Sequence, residues 1–139
     1  VLSQSRFLAI VRMSAIYDLV VTAGFMTPWT LMLLYGVLQG LDAGLGLPGE
    51  FAPLNTVSIL FANLLGSVVV VWALARLHLN SALLGRYDAA ARWLFAAWQF
   101  NALLNGASWL IIGFLVVEIA FGIAQLLPVR EEQGRTAAA

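Results

Sequence analysis

The run Trp109–Leu127, WLIIGFLVVEIAFGIAQLL, constrains this chain more than any other stretch. Its nineteen residues are apolar but for Glu118 and Gln125, and none is basic. A helix crosses a bilayer in about 20 residues, so a run of this length reads as a transmembrane helix. Near its middle stands a carboxylate, which costs roughly 2.5–3.5 kcal/mol at the centre of such a helix unless it is protonated, paired or wet. Glu118 is therefore the residue that any account of the chain must explain.

The rest of the chain has the same character. Its 139 residues are 62% hydrophobic and 10% charged, with a mean hydropathy of +0.92, whereas soluble domains are about a quarter charged. The expectation is an integral membrane protein in the lipid bilayer. Seven basic residues offset seven acidic ones, and all seven are arginine. No basic cluster suits nucleic acid, and without lysine there is no Schiff-base chemistry. The absence of cysteine excludes disulfides, thiolate metal sites and thiol redox chemistry by the chain itself. The single histidine, His78, leaves little for a metal, so no metal or cofactor is expected. In the opening VLSQSRFLAIVR, Arg12 interrupts what would be the apolar core of a secretory signal, and the amino terminus is expected to belong to the mature protein.

Taken in order, the chain reads as four spans, at about 13–35, 54–75, 89–105 and 109–127. Pro28 divides the first, because proline lacks an amide donor and pushes the preceding residue out of the α region. The preferred reading is one span kinked there, running to Tyr35; the alternative ends the helix at Met26 and leaves 29–39 as an interfacial or re-entrant piece. Leu41–Pro53 is a glycine- and proline-rich loop, Arg76–Arg92 the most basic loop, and Asn105–Ser108 a tight turn. After Pro128 the chain becomes polar and is expected to fray. With four spans Arg6, Arg12, Arg76, Arg86, Arg92, Arg130 and Arg135 all fall on one side, and none on the other. Cytoplasmic loops are enriched in arginine and lysine. The expected fold is an all-α, polytopic membrane four-helix bundle forming a single integral membrane domain over 1–139, with both termini cytoplasmic.

Each helix carries a polar stripe: Ser14, Asp18 and Thr22; Asn63 and Ser67; Trp98, Asn101 and Asn105; Glu118, Gly122 and Gln125. At 1.5 Å of rise per residue, Asp18 lies roughly 9 Å inside the cytoplasmic boundary, Asn101 and Glu118 about 13–14 Å, and Asn63 about 20 Å. Asp18, Glu118, Asn101, Asn63 and Trp98 are the candidate ligand-binding residues. Asn63, Ser67 and Asn105 are read first as hydrogen-bonding glue between helices. Asp18 and Glu118 are costly as glue, and for them both readings stay open. His78, Trp72, Trp93 and Trp109 read as membrane-surface residues.

Arg12 before the first span, the IYDL at Ile16–Leu19 and four spans in about 140 residues together resemble the DoxX-like group of small bacterial membrane proteins. The resemblance is architectural. It implies a bacterial inner-membrane protein of four helices with a protein partner, since members of that group are associated with sulfur- and redox-linked membrane complexes, often as small subunits. The absence of cysteine departs from a redox role, and no functional residue is carried over.

Three functions follow. The first is a polar intramembrane site on Asp18 and Glu118 that binds or passes a small hydrophobic or protonatable molecule. The second is a non-catalytic accessory subunit docked on a larger membrane complex, or a homo-oligomer. The third is an isomerase using the paired carboxylates as acid and base. No nucleophile elbow, metal-binding histidine pair or glycine-rich phosphate loop is present, which weighs against an enzyme.

Overall fold

Polar caps and one proline divide the chain into five helices; the computed structural model describes residues 1–130. α1 (Gln4–Thr22) starts behind Ser3, whose hydroxyl accepts from the Arg6 amide at 3.4 Å, and tightens into a 3-10 turn at Ala23–Phe25. Thr27 is then extended (φ −128°, ψ 152°), its hydroxyl accepts from the Thr30 amide at 3.2 Å, and Pro28 opens α2 (Pro28–Leu45). A proline is favoured at that first position, where its missing amide donor would be unpaired anyway. Gly46 ends α2 in the left-handed region (φ 60°), which costs glycine little.

Asn55 and Ser58 exchange two 2.8 Å hydrogen bonds at the head of α3 (Thr56–Leu79), a reciprocal capping box. Ser81 caps α4 (Ala82–Leu104), its hydroxyl accepting from the Leu83 amide at 3.2 Å. The short α5 (Ile111–Ala124) follows a turn in which the Ser108 hydroxyl accepts from the Leu110 amide.

The helices associate as two antiparallel pairs, α1 with α3 and α4 with α5, and α2 lies against α3 and the 3-10 turn. Glycine sets the closest approaches. A Cβ on Gly66 would fall 2.6 Å from the Phe25 Cβ, and one on Gly85 would fall 2.5 Å from Val11 Cγ2. At one end of the molecule Leu2–Ser3 (β1) pairs in parallel with Val129–Arg130 (β2), in the register Leu2 to Val129. At the other, Glu50 bridges to the α4–α5 turn through Glu50 N–Gly106 O (2.9 Å) and Ser108 N–Glu50 O (3.1 Å).

This architecture corrects several expectations. The fold is all-α, but it is not a four-helix bundle: the region read as one kinked span is two helices, because Thr27 and Pro28 break the amide ladder completely. Five helices and the buried salt-bridge network described below also overturn the DoxX-like resemblance, which rested on a simple four-helix architecture. Among the described residues only Gln4–Phe25 (mean hydropathy 1.6) and Thr56–Leu79 (2.3) are long and apolar enough to cross a membrane. α4 is long enough but carries Arg86, Asp88 and Arg92, and α5, at 14 residues, spans only about 21 Å. The two apolar helices support membrane association. The expected fraying after Pro128 and the placement of Arg135 concern a tail that, from residue 131 on, lies outside the described residues.

Candidate functional site

The sequence puts Arg76 and Arg92 at a membrane surface, yet they are 0% and 1% exposed and form the centre of the molecule. Each lies on the small-residue face of its helix. On α3 that face is Gly66, Val69, Val70, Ala73 and Arg76; on α4 it is Gly85, Asp88, Ala89, Arg92 and Ala96. The residues recur every three or four positions, so they share one side of each helix, and close helix approach then buries the arginines.

Arg92 binds three carboxylates from three helices. Its Nε donates to Asp88 Oδ2 at 3.0 Å, its Nη1 to Glu118 Oε2 at 2.8 Å, and its Nη2 to Asp18 Oδ2 at 2.9 Å and Oδ1 at 3.0 Å. Arg76 bridges two of the same acids, with Nη2 on Asp18 Oδ2 and Nη1 on Asp88 Oδ2 at 2.6 Å. Neutral groups complete the coordination of Asp88: Trp72 Nε1 donates to Oδ1 at 3.0 Å, and Gln125 Nε2 to Oδ2 at 2.8 Å. Ser14 Oγ accepts from Arg76 Nη1 at 3.0 Å and from Gln125 Nε2 at 2.8 Å. Burying charges is tolerable only with this density of partners. The guanidinium faces are covered too, Arg92 by Phe121 at 4.9 Å and Arg76 by Trp72 at 5.9 Å.

Glu118 differs from the other two acids. Only its Oε2 meets a donor; Oε1 has no protein partner among the described residues, and the carboxylate forms part of a cavity wall. Two acceptors on Asp18 and two on Asp88 are all engaged. The cavity, of about 630 Å³, opens between the two helix pairs above the charged layer, with Asp18 and Glu118 at its floor. Its walls are apolar, chiefly Phe25, Leu65, Val69, Phe95, Trp98 and Phe114, and Tyr35 and Leu38 of α2 close one side. A smaller cavity of about 270 Å³ flanks the same charges between α3 and α4.

The structure brings Asp18 and Glu118 together through Arg92, and sets the exposed Trp98 on the rim of the larger cavity. It does not bring Asn63 or Asn101 to the cavity. Asn63 Nδ2 donates to the Phe25 carbonyl at 2.7 Å, tying α3 to the end of the 3-10 turn. Asn101 is exposed and accepts from Asn105 through its carbonyl at 2.7 Å. Arg76, Asp88 and Arg92 are the members that sequence reasoning missed. The Asp88–Arg92 spacing of four and the small residues flanking Arg76 were the available signals.

Fold and site thus define an all-α chain in which a network of five buried charges presents two carboxylates, Asp18 and Glu118, to an apolar cavity. No protein-family model, curated protein or solved structure matches it. The functional reading therefore stands on the site alone.

Proposed function

We propose that the chain is a single integral membrane domain whose cavity binds or passes a small hydrophobic or protonatable molecule, with Asp18 and Glu118 at its polar end and Trp98 at its rim. The observation that carries this reading is the 630 Å³ apolar cavity with a carboxylate at its floor. That volume lies within the roughly 300–1,000 Å³ typical of sites for small organic ligands, which pair mainly apolar walls with a few polar groups.

The membrane setting is supported by where the apolar side chains point. Only 28% and 22% of the most apolar windows of Gln4–Phe25 and Thr56–Leu79 are buried, the reverse of a core helix in a water-soluble protein. Trp29, Leu33 and Val37 of α2 and Val68 and Val71 of α3 are exposed as well, and contiguous apolar surface of this kind marks a lipid or protein interface. The pairing of Leu2 with Val129 sets the two ends of the described chain together, near Arg6, Arg86 and Arg130. A basic end of this kind supports a cytoplasmic location for both termini, in a bacterial inner membrane.

Purification from the native membrane in mild detergent, followed by mass spectrometry, tests the reading. The expected result is a retained small molecule or specific lipid that is lost from Glu118→Gln, while that variant keeps its helical content. A stoichiometric protein partner with no small molecule would instead make this an accessory subunit and leave the cavity without a role.

A further inference from the structure

The charge count at the cavity floor says what kind of molecule fits. Arg76 and Arg92 supply two positive charges against the three carboxylates of Asp18, Asp88 and Glu118. With all five ionised, one negative charge is uncompensated; of the six oxygens of these three carboxylates only Glu118 Oε1 has no protein donor among the described residues, and Glu118 lines the cavity. An uncompensated carboxylate beside apolar walls favours a cationic partner. Every nitrogen of Arg92 already donates to a carboxylate, and the one guanidinium nitrogen of the cluster without a partner among the described residues, Arg76 Nε, belongs to a residue that does not line the cavity.

The walls are suited to the same kind of guest. Tyr17, Phe25, Phe95, Trp98 and Phe114 line the cavity, and aromatic faces attract cations, more strongly as the site is desolvated. Gln99, also in the wall, holds a buried amide oxygen with no hydrogen-bond partner. The Thr22 and Tyr35 hydroxyls, which could have served as donors to a ligand, give their protons to the carbonyls of Asp18 and Ala52. No arginine lines the cavity, so an anionic guest would meet no guanidinium there; the neutral donors in its wall, the Tyr17 hydroxyl, the Trp98 indole and the Gln99 amide, carry no charge to balance Glu118.

We propose that the cavity's ligand is a lipophilic ammonium: an apolar, ring-sized body carrying a protonated amine that donates to Glu118 Oε1. The proposal rests on the cavity reading above and specifies its ligand class.

The test uses the whole protein in zwitterionic lipid nanodiscs and three probes sharing one body: 4-phenylbenzylamine, 4-phenylbenzyl alcohol and 4-phenylbenzoate. Binding is read by equilibrium dialysis, with empty nanodiscs subtracted. A hydrogen bond to a charged group supports a preference of about tenfold or more, so the amine is expected to bind at least that much more tightly than the alcohol, with the benzoate weakest. Glu118→Gln is expected to abolish the preference while alcohol binding persists, and Gln99→Leu to reduce amine binding by a smaller factor. Equal binding of amine and alcohol would mean that Glu118 carries its own proton, and would overturn the ammonium proposal while leaving the cavity reading intact. A preference for the benzoate, or an amine preference that survives Glu118→Gln, would overturn it as well. No binding of any probe above empty nanodiscs would overturn both.

Discussion

Arg92 joins acids of α1, α4 and α5, so its removal strands Asp18, Asp88 and Glu118 with Arg76 as their sole cation. Breaking a buried ion pair by deleting one partner costs about 3–5 kcal/mol, and Arg92→Gln is expected to destabilise the fold by at least that much in reversible denaturation from mixed micelles. Glu118→Gln should behave differently. It removes the surplus negative charge and leaves an amide oxygen to accept from Arg92 Nη1, so stability should stay within about 1 kcal/mol of the parent. Equal losses from both substitutions would refute the charge count. The two residues also mark what was legible in the sequence. Glu118 and Asp18 stand out because a carboxylate in an apolar run has no ordinary place in a membrane helix. Arg76 and Arg92 did not, because a basic residue at the end of an apolar run ordinarily marks the headgroup boundary, and their burial follows from helix rotation and pairing that hydropathy does not carry.

At the scale of the helices, small residues decide which faces meet. Gly85 of α4 admits Phe7 and Val11 of α1, so Gly85→Ala must displace Val11 from where a Cβ would sit 2.5 Å away. Overpacking of this kind costs roughly 1–3 kcal/mol. Gly113 of α5 has nothing within 4 Å of its notional Cβ, and Gly113→Ala should stabilise the helix by about 0.5–1 kcal/mol through lost backbone freedom alone. Thermal unfolding of the two variants in the same detergent checks the contrast, and a Gly85→Ala variant as stable as Gly113→Ala would mean that α1 and α4 do not pack as described. The break at Thr27–Pro28 was legible as a break; its completeness was not. Whether a proline kinks a helix or ends it depends on what receives the freed groups. Here Thr27 caps a new helix through its own hydroxyl, while Asn63 satisfies the Phe25 carbonyl from a neighbouring helix. The second of these contacts joins residues 38 apart in sequence, beyond the reach of any local pattern.

For the whole molecule, both β strands and the charged layer lie toward one end, Glu50 and the α4–α5 turn are joined by backbone hydrogen bonds at the other, and the cavity lies between them. If α1 and α3 cross the bilayer, these ends face opposite compartments. The chain lacks cysteine, so introduced cysteines report their own positions without background. Ser5→Cys and Leu83→Cys lie at the strand-bearing end, and Glu50→Cys at the other; all three side chains are exposed. In inside-out membrane vesicles a membrane-impermeant maleimide should label Ser5→Cys and Leu83→Cys, and in intact spheroplasts it should label Glu50→Cys alone. Labelling of all three from one side would remove the membrane crossing, and with it the reason to place the cavity within a bilayer. The reversed pattern would keep the crossing and invert the molecule, in which case Arg6, Arg12 and Arg86 would face the compartment where arginine is depleted. The expected pattern is favoured because inversion would also carry those three guanidinium groups across the hydrocarbon core during insertion, at roughly 2.5–3.5 kcal/mol each at its centre.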